Sequence, residues 1–262
     1  MIYQFIPYFM ELEMLNLQFI INYDIVDKFI ILESNTTFSG LPKEYNFKRH
    51  SKFFEKYLDK VIYIEVKTDE NNVHDLPEIK NWNPPFIINW RREFKQKEAF
   101  FKNYNFNDDD IIIHADADEI VFLNKVIDKI DKTTCNYFNI KHCRYYVNTQ
   151  IKIGETLSRR VPCFTYKTYL EKYKSQHLQT NISIKDIGVW VNDFLEHDDC
   201  GYHLSGCYDI REKIQSFSHG EYNNEEGYNE CMKQKSSFTK SNMIELPQII
   251  MENIDPKFIF KC

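Results

Sequence analysis

Over residues 1–130, short apolar runs alternate with stretches whose apolar residues recur every three to four positions. Residues 2–9 are an apolar opening that contains Pro7 and reads as a first strand. Residues 11–22 carry Leu12, Leu15, Phe19 and Ile20, the spacing of one helix face. Residues 26–32 and 61–66 read as buried strands, with a polar turn at 33–40 after the first and a helix at 51–58 before the second. The polar, proline-bearing stretch 67–85 reads as a long surface loop. A helix over 90–104 and a strand over 111–115 follow. Strands alternating with helices predict a mainly parallel sheet covered on both faces.

Beyond Asp131 the pattern changes. Residues 137–147, 163–170 and 187–194 read as strands without intervening helices, and 209–217 and 225–234 read as helices. The expected fold is therefore α/β, with a Rossmann-type nucleotide-binding half (1–132) and a mixed half (133–262) for a second substrate. No linker-like stretch separates them, so one globule is expected.

Composition narrows the function classes. A net charge of -6, from 33 basic and 39 acidic residues, disfavours nucleic-acid binding, which needs a basic face. The aromatic share of 16% suits sugar or nucleobase stacking, although compositional bias accounts for it more simply, since Phe, Tyr, Ile, Asn and Lys are all abundant. Seven cysteines form no Cys-x-x-Cys pair and match no zinc template, so reduced thiols are expected, with a Cys200–Cys207 bridge as the alternative. No run of about 20 apolar residues spans a bilayer, and no secretory signal opens the chain, so a cytoplasmic location is expected.

The chemistry concentrates in Ile111-Ile112-Ile113-His114-Ala115-Asp116-Ala117-Asp118-Glu119. An apolar strand delivers carboxylates at its carboxyl end, where open α/β sheets bind ligands. Asp116 and Asp118 are two apart and in extended backbone point the same way. Close carboxylates repel unless a cation lies between them, which suggests Mg²⁺ or Mn²⁺ completed by substrate phosphates. An EF-hand loop fails for want of the glycine, and an aspartate-nucleophile phosphatase fails because Ile120 stands where Thr is needed. A solvated acidic loop is the plain alternative.

Through these residues and several further segments the chain resembles glycosyltransferase family 17, whose members include bisecting N-acetylglucosaminyltransferases. The resemblance runs through Phe5-Ile6-Pro7-Tyr8-Phe9 with Glu11-Leu12-Glu13-Met14-Leu15, the segment 26–40, Trp90 to Lys97, Asp109 to Ile120, Gly201-Tyr202-His203-Leu204-Ser205 and Lys213 to His219. Met10, Lys97, Val121 and Tyr202 depart from the family's usual Asn, Arg, Pro and Trp. The resemblance implies a GT-A-like fold, a UDP-sugar donor (UDP-GlcNAc by default, another UDP-hexose as alternative), a glycan acceptor, a Mn²⁺-type cation and inversion.

Within that reading Asp118 is the direct metal ligand, Asp116 binds the metal through water or holds the ribose, and His203 is the third ligand, with His219 its rival. Glu119 is either a ligand or a partner of Arg91 or Arg92. Glu33, Asn35 and Thr37 are expected around the base and ribose, Arg91, Arg92 and Lys213 near the diphosphate, and Glu11 among the cofactor-binding residues. Asp209 is preferred as general base over Glu221, Asp198 and Asp199. A metal-dependent phosphohydrolase and a non-catalytic glycan-binding protein are the rival functions.

Overall fold

The computed structural model describes residues 1–68, 76, 78–79, 84–150, 159–175, 177, 192–207 and 209–261. The first half alternates as expected: β1 (Ile2–Pro7), α1 (Leu12–Asn22), β2 (Lys28–Ser34), α2 (Asn46–His50), a 3-10 segment (Ser51–Lys60), β3 (Val61–Val66), α3 (Ile87–Asn103) and β4 (Ile111–His114). β3, β2, β1 and β4 lie side by side in that order, all parallel. The order reverses direction between β1 and β4, and the carboxyl ends of those strands open a crevice there.

β5 (Glu119–Val121), β6 (Cys135–Arg144), β7 (Arg159–Thr165) and β8 (Phe194–Ser205) extend the same sheet to the order β3-β2-β1-β4-β7-β6-β8-β5. β7 is antiparallel to both β4 and β6, β8 is parallel to β6, and β5 is antiparallel to β8. The expected α/β class, with a Rossmann-type half joined to a mixed sheet, is what the strands show.

Residues 115–118 alone join β4 to β5, yet four strand spacings separate them in the sheet. An extended chain covers about 3.3 Å per residue, or about 17 Å between His114 and Glu119. Four flat spacings would need about 19 Å. The sheet therefore curls until its last strands return over α1, where Asn22 donates to the Val121 carbonyl at 2.9 Å. Gly201 makes the return possible: a Cβ there would lie 1.9 Å from the Ile120 carbonyl oxygen.

Several elements differ from the sequence reading. Residues 51–60 are 3-10 rather than α-helical, and the buried Phe54 and Tyr57 stand three apart, the 3-10 period. Residues 166–170 turn helical instead of continuing the strand. Thr165 caps them by accepting from the Thr168 N–H at 3.2 Å, and Tyr166, Tyr169, Leu170 and Tyr173 then follow a helical period. The strand read at 187–194 lies outside the described residues except for its end, and much of the loop at 67–85 does too. β8, missed in the sequence, is concealed by Glu196, His197, Asp198 and Asp199 on its exposed portion. The six described cysteines are free, including Cys200 and Cys207.

The aromatic richness goes largely into the core. Tyr3, Tyr8, Tyr137, Tyr173, Phe5 and Phe100 are fully buried. Burial lifts the phenols of Tyr8, Tyr63 and Tyr169 above their usual range, and pushes Tyr173 up to about 12. The folded state thus keeps protons that an unfolded chain releases near pH 10. Stability from these groups is complete below about pH 10 and is lost as pH rises further. Thermal unfolding followed from pH 7 to 11 is expected to show a flat midpoint that falls above about pH 10, with the phenolate absorbance of these buried tyrosines appearing only on unfolding. Phenolate absorbance rising to completion near pH 10 in the folded protein would contradict this.

Candidate active site

β4 ends at His114, and Ala115 and Ala117 turn inward to the core. The connection is held from below by Gln18 on α1, whose Nε2 donates to the carbonyls of Asp116 (2.9 Å) and Ala117 (3.1 Å). Glu119, buried, accepts the Asp116 N–H at 2.8 Å, and the Leu204 N–H donates to the Asp118 carbonyl at 2.8 Å. These bonds bend the segment into a turn, so the two aspartates do not follow strand alternation and take different partners.

Asp116 faces α3, where Lys97 Nζ lies 3.0 Å from Oδ1. The same ammonium is 2.7 Å from Glu93, one helical turn earlier. Burial alone would lower Lys97, but the Asp116 and Glu93 carboxylates outweigh it and hold the ammonium above its usual value.

Asp118 has 7% exposure. Its Oδ1 is 3.3 Å from His203 Nε2 and its Oδ2 is 3.3 Å from Lys213 Nζ, which also reaches Ser205 Oγ at 3.4 Å. His203 comes from β8, whose register sets it opposite Glu119 on one side and His142 on the other. The His142 and His203 rings stack at 4.8 Å. Glu11 lies near Asp118, and burial, then the Asp118 charge, raises its carboxyl. It accepts the N–H groups of Phe9 and Met10.

Asp118 and His203 therefore meet, while Asp116 is committed to Lys97: the three expected metal ligands do not converge. Among the described residues no group of three or more His, Cys, Asp or Glu side chains is arranged to hold an ion. An open site with two protein ligands is nevertheless sound chemistry for a cation that shares substrate phosphates. Ligands about 2.1 Å from a common cation stand about 3 Å apart when adjacent in an octahedron, close to the Asp118–His203 separation. Among the described residues His203 Nδ1 is buried without a hydrogen-bond partner, so the ring's polar commitment is at Nε2, toward Asp118.

These side chains line a cleft of about 720 Å³ at the carboxyl ends of β1 and β4, of a size suited to a small organic ligand. Glu11, Thr37, Asp116, Asp118, His203 and Lys213 line it. Other expected site residues do not. Glu33 is fully buried and saturated, taking the N–H groups of Asn46 and Phe47 at the start of α2, Lys43 Nζ (2.8 Å) and the Tyr63 hydroxyl (3.0 Å). It anchors α2 rather than a ribose. Asn35 exchanges two hydrogen bonds with the Thr68 backbone, tying the ends of β2 and β3. Arg91 donates to the Leu76 carbonyl (2.6 Å). Arg92 donates to Phe38, packed so closely under the turn that a Cβ on Gly40 would meet its guanidinium at 2.6 Å.

Asp209 is the N-cap of the helix Ile210–Ser216, accepting the Glu212 N–H at 3.0 Å, and is absent from the cleft wall. The signal was present in sequence: Asp followed three residues later by Glu is the pattern of a capped helix start. Glu221 is 2.7 Å from His219 Nδ1, and His219 packs edge-on to Trp90 at the rim. Sequence reasoning missed Gln18 and assigned no role to Lys97. Gln18 had a visible mark, as a polar residue on the apolar face of α1, four before Asn22.

Residues 1–236 match the sequence model of glycosyltransferase family 17. No curated protein matches the chain. Solved structures similar in fold include the galactosyltransferase LgtC in complex with donor and acceptor sugar analogs (12% identity, 75% of this chain and 73% of that one, TM-score 0.41). The inositol-1-phosphate CTP transferase from T. maritima is similar at 12% identity (90% and 97% covered, TM-score 0.43). A glucosyl-3-phosphoglycerate synthase from Mycobacterium tuberculosis, in complex with Mn²⁺, UDP and phosphoglyceric acid, is similar at 11% identity (92% and 80% covered, TM-score 0.33).

Proposed function

This chain belongs to glycosyltransferase family 17, and on that premise we propose that it moves N-acetylglucosamine from UDP-GlcNAc to a glycan hydroxyl, with inversion and a divalent cation. The observation that carries the reading is the buried Asp118–His203 pair, 3.3 Å apart, on the wall of the cleft at the β1–β4 crevice. Residues 1–132 form the donor half in this reading and 133–262 the acceptor half.

Asp118 and His203 would hold Mn²⁺ or Mg²⁺, which supplies neutralisation of the diphosphate as the glycosidic bond breaks. Lys213 stands on the far oxygen of Asp118 and adds a fixed positive charge beside the departing group. Asp116, partly exposed and oriented by Lys97, faces the donor ribose. Thr37, with its hydroxyl tied to Ser39 and Leu41, borders the base. Among the described residues no helix is long and apolar enough to cross a membrane.

Direct displacement needs a base at the acceptor hydroxyl. Among the carboxylates on the cleft wall, Glu11, Glu93, Asp116, Asp118 and Glu119 have the partners described above. Glu230, exposed on the helix Glu225–Ser236, also lines the cleft and takes the role in this reading. Asp209→Ala is expected to cost about 1 kcal/mol of stability as a lost cap while leaving kcat unchanged. Glu230→Gln is expected to keep the melting temperature and lower kcat about 100-fold or more. Denaturation and turnover measured on both variants separate the two roles, and the reverse pattern would restore Asp209 as base.

A donor panel tests the activity itself. With Mn²⁺ and a mixture of glycans, UDP release is expected to be fastest from UDP-GlcNAc and to rise on adding acceptor. Fastest release from another UDP-hexose would move the donor assignment. Phosphate release without UDP release would favour the phosphohydrolase.

A further inference from the structure

Four lysine or arginine side chains of the described residues line the cleft, and three of them face carboxylates: Lys43 with Glu33, Lys97 with Glu93 and Asp116, and Lys213 with Asp118. The fourth, Arg144, has no carboxylate within salt-bridge range among the described residues. We propose that Arg144 receives an anionic group of the acceptor, a carboxylate or a phosphate ester, so that the enzyme selects acidic over neutral sugars. This rests on the glycosyltransferase reading of the same cleft and adds the acceptor's chemical class to it.

Arg144 is the last residue of β6, and the β6–β8 ladder sets it opposite Ser205, two positions beyond the His142–His203 pair. Side chains two apart on a strand share a face, so His142, Arg144, His203 and Ser205 look into the cleft together. The guanidinium is thus on the acceptor half, next to the residues expected to meet the reacting bond. Lys213 is already placed for the diphosphate, which leaves Arg144 for a different anion.

The arginine is also held in place. Its N–H donates to the Thr149 carbonyl at 3.1 Å, and its own carbonyl accepts from Thr149 Oγ1 at 2.9 Å. Its guanidinium lies over the Tyr145 ring, 5.0 Å from the centroid. Tyr145 has φ +65, a left-handed backbone that a bulky residue adopts only under constraint. Its N–H donates to Ser205 (2.9 Å) and its hydroxyl to Gln234 (3.0 Å), which supply that constraint. A planar cation lying against an aromatic ring still offers its N–H fork to a carboxylate or phosphate.

The test titrates the full chain with glucuronate, glucose 6-phosphate and glucose, with and without UDP and Mn²⁺, followed by saturation-transfer NMR. An acidic sugar is expected to bind and glucose to bind far more weakly. Arg144→Gln should weaken the acidic sugar about tenfold or more, Arg144→Lys should weaken it less, and both should keep UDP affinity within about twofold. Equal binding of acidic and neutral sugars by the unaltered protein would overturn the proposal. So would a loss of UDP affinity in Arg144→Gln, which would give the arginine to the donor diphosphate. Failure of UDP to bind the unaltered protein is read in the same titration and counts against the transferase reading instead.

Discussion

Replacing Asp118 by asparagine is expected to abolish metal-stimulated UDP binding and to lower kcat/KM by more than about 100-fold. Changes to residues that merely support a metal ligand cost about 10- to 100-fold, so losing a ligand should exceed that range. The fold should survive. The amide fills nearly the same volume as the carboxylate, the backbone carbonyl at this position still accepts from Leu204, and Lys213 keeps Ser205 as a neighbour. Circular dichroism and a melting curve close to those of the parent protein, beside an inactive assay, are the expected pair of results. An Asp118→Asn variant that turns over donor normally would remove the Asp118–His203 pair from the mechanism.

The second large effect concerns stability. Lys97 is buried, with two carboxylates on one ammonium, and Lys97→Met would leave Glu93 and Asp116 facing each other without it. Breaking a buried ion pair from one side costs about 3–5 kcal/mol. The Asp116 side chain is 30% exposed, so water offsets part of the loss and the expected cost is about 3 kcal/mol. Urea denaturation measures it directly. Lys97→Arg retains the charge and should recover most of the loss. A Lys97→Met protein as stable as the parent would show that the two carboxylates are adequately solvated on their own.

The alternating half was legible because its strands are apolar runs and its helices have one apolar face. Residues 61–66 and the start of β4 at Ile111 agree with the structure residue for residue. The carboxylate segment was legible for the same reason, since Asp116 and Asp118 interrupt an otherwise apolar stretch. How the two side chains come to different partners was not. It depends on Gln18 from α1, on Glu119 folding back, and on β5 joining β8, and each of these is set by the curl of the sheet. The partnership of Asp118 with His203 was proposed from resemblance, and no local pattern in the sequence could have supplied it. Glu33 and Asn35 at the end of β2, and Arg92 on α3, are polar residues that suit a ligand and a turn equally well. Their hydrogen bonds show them holding the turn.

The same limit explains Asp209. Its position beside a glycine-containing signature suggested catalysis, while its local spacing to Glu212 described a helix cap. Local chemistry decided that residue's place, and long-range strand pairing decided His203's.

The central claim is that Asp118 and His203 bind a divalent cation together with a nucleotide diphosphate. Calorimetric titration of UDP into the full chain, with Mn²⁺ and then with EDTA in its place, tests it most directly. Binding that requires Mn²⁺ and disappears in Asp118→Asn is the predicted result. Equal affinity for UDP in the presence and absence of metal would contradict it.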